Sequence, residues 1–153
     1  DLIPDKPSDP VSRRGDVWEA GKHILACGDA RDRDLAAAIV MKRPVRLAFP
    51  DFPYNRKIKG HVSGGDHHEF PMASGEMSDG GFSNFLQESL QVTWDVLVDG
   101  ALTFAFMDWR GASILENAAR KVGFSVQNIV IWVKPNGGQG TTVKSCGTPR
   151  PTS

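Results

Sequence analysis

At 153 residues, the chain is the size of one domain and long enough to bury a core. Its 18 Lys and Arg balance its 18 Asp and Glu, so no net positive field marks a polyanionic partner, and any contact with DNA must come from local basic clusters. No run approaches the ~20 apolar residues of a bilayer span. The two cysteines, Cys27 and Cys146, form neither a metal-ligand spacing with the four histidines nor a disulfide framework, so a reducing, cytoplasmic setting is the expectation. No signal-peptide pattern and no internal repeat is found.

Residues 1–15 carry Pro4, Pro7 and Pro10 among Asp, Ser and Arg without apolar periodicity, the composition of an extended linker or a disordered arm. The run Ile24-Leu25-Ala26-Cys27, stopped by Gly28-Asp29, predicts a strand with an acid at its carboxyl end. Asp34 is placed to cap a helix over 35–42. A second strand over 45–49 runs into Pro50-Asp51-Phe52-Pro53-Tyr54. Residues 56–81 are polar, rich in Gly and His, and too long for a plain connector.

Phe82, Phe85, Leu86, Leu90, Val92 and Leu97 recur mostly at three- and four-residue steps, predicting a helix over 82–98 that Asp99-Gly100 ends. A third strand follows over 101–107. Asp108-Trp109-Arg110 stands where it turns into a helix over 112–121, closed by Gly123. A fourth strand over 125–133 is broken by Lys134-Pro135-Asn136-Gly137-Gly138. Trp18, Trp94 and Trp132 fall at or near apolar runs and read as mostly core. Strands alternating with helices predict an α/β fold with a parallel, doubly wound sheet.

In such sheets ligands gather outside the carboxyl ends of the strands. Gly28-Asp29, residues 51–54, residues 108–110 and residues 134–138 all fall there. Their convergence names a site without naming a reaction.

The tetrapeptide Asp51-Phe52-Pro53-Tyr54 carries the chemistry. It resembles the Asp-Pro-Pro-Tyr motif of DNA methyltransferases that act on exocyclic amines. The lone pair of an aromatic amine is delocalised into its base and is a poor nucleophile. A carboxylate and a backbone carbonyl that accept both amine hydrogens draw the nitrogen toward tetrahedral geometry, and an aromatic ring stacks on the flipped base. The resemblance implies that Asp51 is the carboxylate acceptor, the Phe52 carbonyl the second acceptor, Pro53 part of the turn and Tyr54 the stacking ring. Phe52 departs from the family's first proline, losing its fixed φ and adding a ring expected to crowd the base.

Further segments are similar to the same group in the same order. They are "WEAGKHILACGDA" at 18–30, "GHVSGG" at 60–65, "EFPMASGEMS" at 69–78, "MDWR" at 107–110 and "WVKPNGGQG" at 132–140. This is the permuted group of adenine-N6 and cytosine-N4 methyltransferases linked to ParB-like domains, with the proline-rich arm matching the interdomain linker.

The resemblance implies a Rossmann-like sheet, S-adenosylmethionine as cofactor, DNA as substrate and a ParB-like domain upstream. Asp at position 51 leans toward adenine. The division expected is a linker over 1–15, a partial catalytic domain over 16–140 and a tail over 141–153 outside the family pattern. The family's Gly-rich cofactor loop, Asp-Pro-Phe-x-Gly-Ser-Gly-Thr, is not found. The chain is therefore expected to bind S-adenosylmethionine weakly or not at all and to be inactive alone. The alternative is a non-catalytic remnant that binds nucleic acid or a partner.

The remaining candidates each have two readings. Asp29 either meets the adenosine of the cofactor or caps a turn. Asp108, Trp109 and Arg110 either line the site, at a helix start suited to anions, or divide into a packed Trp and a solvated Arg. Arg56, Lys57, Lys59 and His61 either hold phosphates around a flipped base or belong to a solvated loop. Lys134 and Asn136 stand at another strand end with the same choice. His67-His68 has no third ligand, and no metal is expected. A cytosine-C5 mechanism is disfavoured, because its nucleophilic cysteine follows proline whereas Ala26 and Ser145 precede the cysteines here.

Overall fold

The computed structural model describes residues 11–58 and 70–132. Among these the architecture is α/β, with small sheets, three helices and one parallel strand pair. Strands β1 (Val17–Ala20) and β2 (His23–Ala26) form an antiparallel hairpin in which Trp18 faces Leu25. Gly21, at φ 63°, permits the two-residue turn between them. Sequence pattern places residues 24–27 in a parallel sheet; β2 instead pairs back onto β1, because a neighbour two residues away closes with far less loop entropy than a distant one.

Helix α1 (Arg33–Val40) is capped by Asp32 rather than Asp34, since the Asp32 carboxylate accepts the Asp34 and Leu35 backbone N–H groups at 3.1 and 3.0 Å. Asp34 lies in the first turn, where its charge complements the helix dipole. Strands β3 (Val45–Ala48) and β4 (Leu97–Thr103) are parallel, with Leu47 beside Leu102 and Ala48 beside Thr103. The pairing continues beyond both strands. The Phe104 and Phe106 N–H groups donate to the Ala48 and Pro50 carbonyls at 2.9 and 3.0 Å, and Asp51 bridges to Phe106.

Helix α2 (Asp79–Val96) starts and ends earlier than its apolar period suggests. The Ser78 hydroxyl accepts the Gly81 N–H at 3.2 Å, and that cap outweighs the poor helix propensity of Gly80 and Gly81. At the other end the chain passes directly into β4, so Asp99 and Gly100 lie inside a strand and not at a helix end. Gly100 takes φ 75° in the stretch where the β3–β4 register shifts, a conformation that suits glycine. Helix α3 (Ala112–Val122) is closed by Gly123 as expected.

The core lies between α2 and α3 and against the turn after β3: Phe52, Phe82, Phe85, Leu86, Leu90, Leu115 and Ala118 are buried together. The strands fare differently. Residues 125–132 form no strand, contrary to the apolar pattern, and Ile129, Val130, Ile131 and Trp132 are exposed. A strand needs a neighbour to take its backbone hydrogen bonds, and an apolar run alone does not supply one. Trp18 and Trp94 are half exposed and Trp132 more so, against their expected place in the core. No helix among the described residues is long and apolar enough to cross a membrane.

Candidate functional site

Parallel pairing of β3 with β4 brings their carboxyl ends to one edge. The loop after β3 carries Asp51 to Tyr54, and the loop after β4 carries Asp108 to Arg110. Asp51 is held by its bridge to Phe106. Next to it the Phe52 side chain is only 7% exposed, packed into the core. The ring expected to crowd a base therefore turns away from the site and anchors the turn from below. Pro53 follows, and Tyr54 folds back so that its hydroxyl donates to Asp51 Oδ1 at 3.0 Å.

Tyr54 lines a cavity of about 580 Å³, with Arg56 and Lys57 on its own loop, Asp79 and Phe82 at the start of α2, and Arg110 and Gly111 at the start of α3. Burial, the hydrogen bond to Asp51, and the charges of Asp51 and Asp108 together push the Tyr54 phenol up to about 12. The hydroxyl thus keeps its proton throughout the neutral range and acts as a donor.

Asp108 closes the start of α3. Its Oδ1 accepts the Arg110 and Gly111 N–H groups, each at 3.0 Å, and its Oδ2 accepts Arg110 Nη1 at 3.1 Å. The N-cap, Gly111, has no side chain to do this. The Arg110 guanidinium lies 4.9 Å from the Trp109 ring centroid, and Trp109 is 79% exposed, so it is not packed into the sheet. Arg110 lines the cavity; Asp108 serves it from behind.

Sequence reasoning passed over Asn55. At φ 52°, a region Asn tolerates, its side-chain amide donates to the Met77 carbonyl at 2.8 Å and accepts from the Gly75 and Met77 N–H groups at 3.0 and 3.2 Å. It thereby fastens the wall of the cavity to the residue after Tyr54. Glu76 organises the same wall, accepting the Ala73 and Ser74 N–H groups at 2.6 Å each. Its own backbone N–H, together with those bonds, holds its carboxyl below the usual range. Position directly after the tetrapeptide was the one available signal for Asn55; nothing local marks Glu76.

Asp29 stands apart. It does not line the Tyr54 cavity. Its Oδ1 accepts the Arg31 backbone N–H at 2.9 Å and Nε at 3.0 Å, and its Oδ2 accepts Nη2 at 2.7 Å. Hydrogen bonds from the Arg31 side chain and backbone hold the Asp29 carboxyl at about 2, and the same pairing raises Arg31. Arg31 also reaches Glu88 on α2 at 3.1 Å and lies over the Phe85 ring. Lys59, His61, Lys134 and Asn136 lie outside the described residues, as do residues 1–10 and the tail over 141–153.

Among the described residues no group of three or more His, Cys, Asp or Glu could hold a metal ion. Comparison with protein-family models, with curated proteins and with solved structures gives no match to this chain.

Proposed function

We propose that this chain carries the base-recognition part of a DNA amino-methyltransferase, a Rossmann-like domain acting on adenine N6 or, as second choice, cytosine N4. The observation that carries the reading is the meeting of Asp51 and Tyr54. An anionic acceptor and an aromatic ring stand in hydrogen-bond contact at the carboxyl end of a parallel strand, and Tyr54 opens onto a cavity edged by Arg56, Lys57 and Arg110.

In this reading Asp51 accepts one hydrogen of the target amine and the Phe52 carbonyl accepts the other. The nitrogen lone pair is then drawn out of conjugation before any reaction begins. Tyr54 offers its face to a base that has left the stack. Arg56 and Lys57, with Lys59 and His61 further along the sequence, meet phosphates beside that base.

S-adenosylmethionine would be the methyl donor. The described residues do not make up a site for it: both oxygens of Asp29 are engaged by Arg31, and the Gly-rich loop is not found in the sequence. The chain by itself is proposed to hold the base without transferring methyl. A ParB-like domain upstream and a cytoplasmic setting belong to the same proposal. The engagement of Asp29 also favours a second reading, a non-catalytic module that binds nucleic acid or a partner. Methyl transfer to duplex DNA by this chain with added S-adenosylmethionine would set that reading aside.

The test of base recognition is binding. A short single-stranded oligonucleotide with one adenine is compared with the same strand carrying hypoxanthine, which presents a carbonyl where adenine presents an amine. Adenine should bind about tenfold more tightly, ~1.4 kcal/mol, and Asp51→Ala should bring the two together. Equal affinity of the unaltered chain for both strands would sink the proposal.

A further inference from the structure

We infer that Tyr54 is a positioning residue through its hydroxyl, which ties the amine acceptor and the stacking ring into one unit and sets the distance between them. The inference rests on the base-recognition reading and goes beyond it, since stacking needs only the ring. It assigns the hydroxyl a role in choosing ligands: planar bases that carry an exocyclic amine.

The turn from 51 to 54 is fixed at three points. The Asp51 backbone is bridged to Phe106, the Phe52 ring is embedded in the core, and Pro53 has its φ restricted by its own ring. The remaining freedom is in the side chains of Asp51 and Tyr54. Asp51 is exposed, and an exposed carboxylate rotates about its last bond at little cost. The Tyr54 O–H, donating to Oδ1 at 3.0 Å, restrains that rotation and leaves Oδ2 outside the bond.

The same bond fixes the ring. A base stacked on that ring would lie one stacking distance from the tyrosine hydroxyl, and the acid that accepts the hydroxyl would then be within reach of the base's amine. A ring without the hydroxyl stacks equally well but leaves the acceptor unaligned, and misplacements of ~1 Å are enough to undo such geometry.

Tyr54 is the single tyrosine of the chain, so its ionisation can be followed by ultraviolet absorbance with no other phenol contributing. The charged groups around it are Asp51 and Asp108, with Arg56, Lys57, Asp79 and Arg110 on the walls of the cavity. In the unaltered chain Tyr54 should titrate near 12. In Asp51→Ala it should fall part of the way toward 10, because burial remains when the partner is gone.

The Cζ resonance of labelled Tyr54 reads the same bond at neutral pH and should shift in Asp51→Ala. Tyr54→Phe, which keeps the ring, should then lose most of the preference for adenine over hypoxanthine, with the loss falling on the adenine strand. Tyr54→Leu should lose affinity for both strands.

The outcomes separate the two ideas. An ordinary titration with adenine preference intact overturns the tie and leaves base recognition standing, as does a Tyr54→Phe variant that discriminates like the unaltered chain. A raised titration together with no adenine preference in the unaltered chain overturns base recognition, and the positioning role falls with it.

Discussion

The helical side of this molecule and its strand side both carry large apolar residues and treat them in opposite ways. On α2, Leu86 and Leu90 are closed off by α3 and by the turn after β3, and Leu86 is fully buried. On β3 and β4, Leu47 faces Leu102 across the ladder, and just past the strand ends Phe49 stacks on Phe104 at 5.2 Å, yet all four are exposed. Parallel strands are ordinarily covered on both faces; among the described residues none of β3 or β4 is fully buried. The lesson is that apolar character marks what a segment is suited to, while burial depends on the second surface.

Phe52 makes the sharpest test of that division, because it sits in the candidate site by sequence and in the helical core by structure. The resemblance to Asp-Pro-Pro-Tyr makes Phe52→Pro look like a repair. Burial of the ring makes it a large-to-small core substitution. Phe52→Ala should cost about 3 kcal/mol or more, and Phe52→Pro no less, read as the shift in urea midpoint. A loss under 1 kcal/mol would move Phe52 back to the open side.

Much of the helical side was legible in the sequence, and the reason is local. The three- and four-residue steps from Phe82 to Val92 need no partner to be recognised, and Gly123 closes α3 where its pattern stops. The strand-end position of Asp51 and Asp108 was legible too, because an apolar run that stops at an acid marks an edge. What was not legible depends on distant groups. The failure of residues 125–132 to form a strand reflects a missing neighbour, and the hairpin of β1 with β2 reflects a near one. Asn55 holds Gly75 and Met77, 20 and 22 residues away, and no spacing rule announces such a bond. The inward turn of Phe52 was hidden by the resemblance itself, which assigned the position to the site.

The join between the hairpin and the helical side gives the next effect in size. Arg31, bonded to Asp29 after β2, spans to Glu88 and Phe85 on α2. The Asp29 carboxyl is lowered from 3.8 to about 2. A carboxylate whose folded value lies below its unfolded one stabilises the fold above the unfolded value and loses that contribution as pH falls through the folded one. The pair is partly open to solvent, so the contribution is about 1 kcal/mol. Asp29→Ala should therefore be less stable than the unaltered chain at pH 6, and the gap should close between about pH 4 and pH 2. A gap independent of pH would mean that Asp29 acts through packing and not through its charge.

The smallest effects lie on β4, where two adjacent residues point to opposite faces of one strand and differ in exposure. Leu102 points to the open face and is 57% exposed; Thr103 points the other way, and its buried Oγ1 has no hydrogen-bond partner among the described residues. A buried hydroxyl without a partner loses its hydration and regains nothing. Thr103→Val keeps the shape and the β-branched preference for a strand and removes the cost, so it should raise stability by up to about 1 kcal/mol. Leu102→Thr also keeps β-branching and removes apolar surface that folding never buried, so it should change stability by less than ~0.5 kcal/mol. The pair is read in one urea series. A loss above 1 kcal/mol at Leu102→Thr would show that the open face is covered in solution, and a loss at Thr103→Val would show that the hydroxyl has a partner. Either result would erase the contrast between the two faces at the place where it is narrowest, one residue apart.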